Sequence, residues 1–246
     1  MAAPVFDRVQ SERPLEVLRQ LGDRVRPLSA AAERTLPVPD ALAPLLPHGG
    51  LQRGTTVATT GSAASSLALT LAGPATAGGS WCAVVGLAHL GLLAAAELGV
   101  ALERTVLVAV PEPGAWPSTV AALLDAFDVV LVQPMAAMTP TTHRRLMARA
   151  RDRGAVLIPV GLAPGAWGQE PDLVVSSGAS RWEGLGVGHG RLRARQVEVE
   201  VRGRRAAARV RRASLWLPGP DGRIATAEPP VPVAPPGPEA TWREVG

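Results

Sequence analysis

The chain has 246 residues, a formal net charge of +4, one cysteine and four histidines. That length suits one larger domain with appendages and a substantial core. The single Cys82 excludes an intramolecular disulfide, and His48, His89, His143 and His189 show no metal-ligand spacing. Every basic residue other than histidine is an arginine, because the chain contains no lysine. A net charge this small is not by itself evidence of nucleic-acid binding.

Asp7, Arg8 and Glu12 stand where a secretion signal needs an apolar core, so a reducing cytoplasm is the expected location. Between Pro14 and Arg26, Leu15, Leu18, Leu21 and Val25 recur at helical spacing and predict a short amphipathic helix. Pro37, Pro39, Pro44 and Pro47 then form a linker into the Gly49-Gly50 turn. Residues 1–47 are thus read as a helix and a proline-rich linker.

From Thr55, short apolar runs alternate with helical segments. Strands are expected at Thr55–Thr60, Trp81–Val85, Thr105–Val110, Asp128–Val132 and Ala155–Val160. Helices are expected near Ser65–Leu71, Leu90–Leu98, Ser118–Ala126 and Thr141–Arg153. Nearly continuous Val, Leu and Ile runs separated by helices indicate a parallel sheet covered on both faces, and the fold class is α/β. Cys82–Leu102 has the length of a membrane span, but Gly86, His89, Gly91, Glu97 and Gly99 interrupt it, which favours a buried strand and an alanine-rich helix.

After Leu173–Ser176, Val197, Val199 and Val201 alternate with Glu198 and Glu200, and Arg202-Gly203-Arg204-Arg205 leads into Ala206–Leu217. This pattern predicts an antiparallel hairpin that closes a domain over residues 48–217. From Pro218 the chain is rich in Pro, Gly and Ala and is read as an extended tail, residues 218–246, with Trp242 as its one large anchor.

The segment from Gly61 to Ala68 has the layout of a phosphate loop without its chemistry. A working loop, G-x-x-x-x-G-K-[ST], uses its lysine on the phosphates and its hydroxyl on Mg²⁺. Here Gly61 is kept, but the last three places hold Ser66, Leu67 and Ala68. Backbone N–H groups remain as a weak anion nest. Arg53 and the late arginines are the only cations that offer a replacement for the missing lysine.

With these residues in view, Leu46 to Leu217 resembles the RecA-like recombinase core. The resemblance implies that Asp128-Val129-Val130-Leu131-Val132-Gln133 is the Walker B strand, in which Gln133 stands at the carboxylate that helps hold Mg²⁺. It also places Ala88 at the water-activating glutamate and Gly161 at the polar γ-phosphate sensor. Arg202 and Arg204 resemble a basic pair that reaches toward a neighbour's nucleotide in recombinase filaments. The expectation is a pseudo-ATPase with no catalytic residue, no cofactor and no metal.

Within that group the chain is most similar to the degenerate ImuA and ImuA-prime accessory proteins, which are related to SulA. This resemblance implies a non-catalytic adaptor of a damage-induced mutasome in translesion synthesis. Its implied partners are an ImuB-like Y-family polymerase homologue and an error-prone C-family DNA polymerase. Any DNA contact is expected to be weak, no membrane contact is expected, and the location is cytoplasmic, at the nucleoid during DNA damage. Arg202, Arg204, Arg205, Trp216 and Trp242 are the expected partner contacts. The alternatives are a SulA-like inhibitor of cell division and a DNA-binding recombinase paralogue, in which Trp167 would stack on a base.

Overall fold

The computed structural model describes residues 35–109, 112–133, 139–161, 170–185, 189–204 and 207–228. The predicted N-terminal helix, Trp167, Arg205 and Trp242 lie outside the described residues.

The strands are β1 (Thr35–Leu36), β2 (Leu51–Gln52), β3 (Val57–Thr60), β4 (Cys82–Val85), β5 (Thr105–Val108), β6 (Val129–Val132), β7 (Val156–Pro159), β8 (Leu173–Leu185), β9 (Gly190–Gly203), β10 (Arg211–Trp216) and β11 (Ala225–Thr226). The helices are α1 (Ala64–Ala77), α2 (Leu92–Glu97), α3 (Trp116–Ala126) and α4 (Pro140–Arg153). Strands β5-β4-β6-β7 form one parallel sheet, and β11-β10-β9-β8-β3 form a second. Parallel bridges Thr56↔Leu157 and Thr59↔Val160 join β3 to β7 and connect the two. Six strands, β5 to β8 across the order β5-β4-β6-β7-β3-β8, run parallel, and β9, β10 and β11 continue as antiparallel neighbours.

Side chains on successive strand residues point to opposite faces, so a sheet covered on both sides needs apolar residues at every position. On β4, Cys82 and Val84 pack into one core while Ala83 and Val85 pack into the other. β6 divides in the same way, with Val129 and Leu131 facing away from Val130 and Val132. α1, together with Leu36, Leu42, Leu46 and Leu51, covers the first face, and α3 and α4 cover the second through Trp116, Leu123, Leu146 and Ala150. Asp125 on α3 accepts hydrogen bonds from Arg149 on α4 and is also ion-paired with Arg153, which ties these two helices together.

Several boundaries differ from the sequence reading, and the stretch read as a linker up to Pro47 is part of the domain: β1 pairs with β2, and Leu36, Leu42, Leu45 and Leu46 are buried in the first core. α1 runs past Leu71 to Ala77, through Gly73 and Pro74, a pair that reads as a helix stop. Tertiary contact accounts for the glycine: a Cβ at Gly73 would come within 2.8 Å of the Leu98 carbonyl oxygen. At the other end, the described residues continue ten positions past Pro218. The Pro218 carbonyl accepts from the Arg195 N–H, β11 pairs with β10, and Ala227 is buried. The first part of the expected tail is therefore an edge of the sheet.

The hairpin expected from the Val197–Val201 alternation is present, with Val199 opposite Ala213 and Val201 opposite Arg211. A second hairpin, β8–β9, is far longer than the Leu173–Ser176 strand expected from sequence. On β8 every residue beyond Ser177 is exposed, whereas Ala194, Arg195 and Val197 of the paired β9 stay buried. Without a buried face on that part of β8 there is no hydrophobic alternation to read in it.

Candidate functional site

Open parallel sheets bind ligands at the carboxyl ends of their strands. Gly61 follows β3, Gly86 follows β4, Gln133 follows β6 and Gly161 follows β7, so the residues that the resemblance selected do share one rim. Gln133 is exposed there and donates its backbone N–H to the Val85 carbonyl. Ala88 lies in an exposed turn after β4, and Gly161, with φ +70°, donates its N–H to the Thr59 carbonyl. The rim thus brings together a neutral amide, a methyl and a bare backbone.

The phosphate-loop remnant is closed by the protein itself. A phosphate loop keeps the residues between its glycine positions out of the helix so that their N–H groups surround the anion. Here α1 begins at Ala64, and only Ser62 and Ala63 remain as a turn. The Ala63 N–H donates to Ser177 Oγ at 2.8 Å, Ser177 Oγ donates to the Thr60 carbonyl at 3.1 Å, and the Ala64 N–H donates to the Gly61 carbonyl. Gly61 has φ +84°, and a Cβ on it would fall inside the contact distance of the Ser177 carbonyl oxygen and hydroxyl. Ser177 of β8 therefore stands against the turn.

An arginine does reach this turn, one of the late arginines and not Arg53. Arg195, on β9, is only 7% exposed. It donates from Nη2 to Ser62 Oγ at 2.6 Å and to Ser180 Oγ at 3.0 Å, and its guanidinium carbon lies 5.3 Å from the ring centre of Trp182, its cross-strand neighbour. Burial lowers its pKa from the ordinary arginine value. Sequence reasoning included Arg195 only within a run of hairpin arginines. What singles it out is the place of Ser62 and Ser180, and no spacing in the sequence reports it.

Leu67 and Ala68, at the lysine and hydroxyl places, are completely buried in the core, and Ser66 is half-buried on the first turn of α1. Cys82 is buried, which pushes its thiol up to about 12 and keeps it protonated. Among the described residues, no group of three or more His, Cys, Asp or Glu side chains could hold a metal ion. No helix of the described residues is long and apolar enough to cross a membrane.

The remaining expected residues sit elsewhere. Arg53 is ion-paired to Asp128 at 2.8 Å, and Asp128 also accepts from the Trp81 N–H, at the amino ends of the strands. Arg202 and Arg204 lie at that same end, because β9 runs antiparallel to β8 and sets Gly203 opposite Leu173. Arg204 is held by Asp172 at 2.8 Å, while Arg202 is exposed. The sheet thus separates this basic pair from the loop remnant. Trp216 is half-buried on β10, between Gln196 and Ala225.

The MT3502 N-terminal domain family matches residues 44–167, a segment that runs from before β2 through β3 to β7 and stops short of β8. The chain belongs to that family. Rv3395c of Mycobacterium tuberculosis is 37% identical over 143 residues, covering 56% of this chain and 68% of that protein. In fold, the chain is similar to the crystal structure of the RadB recombinase, with a TM-score of 0.55 and 16% identity over 76% of this chain and 97% of that one. The α/β fold is RecA-like, with a largely parallel sheet flanked by helices and antiparallel strands at its C-terminal edge.

Proposed function

We propose that this chain is a non-catalytic adaptor, a pseudo-ATPase of the ImuA type that acts by protein contact in a damage-induced translesion-synthesis assembly. The observation that carries the reading is the closed loop: Ser177 takes the Ala63 N–H, and Leu67 lies in the core where a phosphate-binding lysine would stand. A charge-assisted hydrogen bond is worth about 1.5–3 kcal/mol. Losing the lysine, the hydroxyl and the Gln133-position carboxylate together removes several such contacts to Mg-ATP.

An adaptor needs an exposed surface with anchoring side chains, and the outer β8–β9 ribbon supplies one. Trp182 is 41% exposed, Leu185 64% and Leu192 50%, beside the exposed Arg181, Arg191 and Arg193. Tryptophan and arginine are the residue types that most often dominate interface energy. We assign the partner contact to this ribbon in preference to Arg204, whose charge Asp172 already holds. The partner in this reading is an ImuB-like polymerase homologue.

Two experiments test the proposal. Turnover of ATP, or Mg²⁺-dependent nucleotide binding abolished by a change within Gly61–Ala68, would overturn the pseudo-ATPase. In a pull-down against an ImuB-like protein, Leu185→Ser with Leu192→Ser should abolish capture while the melting temperature stays near that of the parent. Undiminished capture by this double variant would remove the ribbon from the interface.

A further inference from the structure

At the amino ends of the parallel strands, opposite the closed loop, lies an open cavity of about 880 Å³. Its walls are the Pro47–Thr55 turn, one face of α4, and the junction where β8 begins and β9 ends. On α4, Arg144, Met147, Ala148 and Arg151 follow the i, i+3, i+4, i+7 spacing that puts them on one helix face. Gly54 allows the turn to press against that helix, because a Cβ there would sit 3.1 Å from the Arg151 Cα.

Four arginines line the cavity: Arg53, Arg144, Arg151 and Arg204. Asp128 matches Arg53, and Asp172 matches Arg204. Arg144 reaches only Thr141 Oγ1, and neither it nor Arg151 has an ion pair among the described residues, so two guanidinium charges stay uncompensated. The Arg53 Nε is buried and has no acceptor in reach. Beside these cations stand Met147, Leu173 and Ala207, which give the cavity an apolar side.

We propose that this cavity binds a small phosphorylated organic molecule, its phosphoryl group held by Arg144 and Arg151 and its organic part against Met147 and Leu173. Guanidinium forks match phosphate oxygens in paired hydrogen bonds, which a carboxylate satisfies with fewer acceptors. The volume lies in the range of small-molecule sites. It is a recess between three elements, and its charge is concentrated on one wall, which favours a compact anion over an extended polymer. The site is separate from the closed phosphate loop and does not depend on the adaptor reading.

The probe is inorganic pyrophosphate, titrated by calorimetry into the full chain at fixed ionic strength. Saturable one-site binding is expected. It should weaken more than tenfold in the pair Arg144→Gln with Arg151→Gln, and stay within tenfold of the parent in the charge-keeping pair Arg144→Lys with Arg151→Lys. Thermal melts of both pairs establish that the chain is folded. Absence of saturable binding, or equal affinity in the glutamine pair, overturns the proposal. So does a single-stranded oligonucleotide or a polyglutamate peptide that binds the parent tenfold more tightly than pyrophosphate through the same two arginines, since the cavity would then be part of a macromolecular surface.

Discussion

The two ends of the sheet treat positive charge in opposite ways. At the carboxyl ends, Arg195 is buried and spends its hydrogen bonds on Ser62 and Ser180, and Ser177 closes the turn before α1. At the amino ends, Arg144 and Arg151 stand exposed around an open cavity. A buried polar group whose partners are all internal is part of the scaffold, and removing a partner leaves a desolvated orphan. An exposed, unmatched charge adds little to folding and is free for a ligand. The comparison therefore makes a graded set of stability predictions, large at the closed end and near zero at the open one.

The largest effect is expected from Leu67→Lys, the change that would restore a phosphate-loop lysine on paper. Leu67 is fully buried among Leu71, Val84 and other core residues, so the ammonium would enter the core with no carboxylate placed to receive it. Burying an unpaired charge together with losing an apolar side chain should cost about 4 kcal/mol or more. Chemical denaturation should show loss of most of the stability and no gain of nucleotide binding. A folded Leu67→Lys protein of parental stability that binds Mg-ATP would show that the loop opens readily, and the contrast between the two ends would disappear.

Gly61→Ala comes next. The residue keeps φ +84°, and the added Cβ would collide with backbone of Ser177, which β-sheet pairing holds in place. Left-handed strain and the collision together should cost roughly 3 kcal/mol. The midpoint of urea unfolding measures it, and a shift of less than a third of that size would mean that β8 is free to withdraw from the turn.

These two positions also divide what sequence could reveal. Gly61, Leu67 and Ala68 were legible because the phosphate-loop spacing names their places, Gln133 came only from the resemblance, and the parallel strands were legible because burial on both faces demands unbroken Val, Leu and Ile. Val199 and Val201 announced a hairpin through their alternation with glutamates. Ser177 and Arg195 were not legible, since they act on Ala63 and Ser62 across sequence separations of 114 and 133 residues. The basic cavity was equally hidden: Arg53, Arg144 and Arg204 belong to three elements that only the sheet order brings together. The helix expected near Ser65–Leu71 ends only at Ala77, and the close approach of the Leu98 carbonyl that Gly73 admits is a tertiary contact no local pattern reports.

Ser177→Ala is the intermediate case. It removes the acceptor for the Ala63 N–H and the donor to the Thr60 carbonyl, leaving a buried backbone N–H unpaired. The expected loss is about 1–3 kcal/mol. Hydrogen exchange at Ala63 gives a local readout, where protection should fall by more than the global stability loss alone produces. Unchanged exchange would mean that another acceptor serves the Ala63 N–H and that Ser177 is not what closes the loop.

The smallest effect is expected at the open end. Arg144→Gln and Arg151→Gln keep a long polar side chain with good helix propensity on the exposed face of α4, and neither breaks an ion pair among the described residues. Arg151 also sits in the last turn of α4, where a cation favours the helix dipole by roughly 0.3–1 kcal/mol in an exposed setting. Each single change should therefore alter stability by no more than about 0.5 kcal/mol for Arg144 and about 1 kcal/mol for Arg151, with the Arg151 loss shrinking as salt is added. Parallel urea titrations at low and high ionic strength measure both. If either arginine costs as much as Ser177→Ala, and the cost persists in high salt, that guanidinium is a structural strut like Arg195, and the open end is not open.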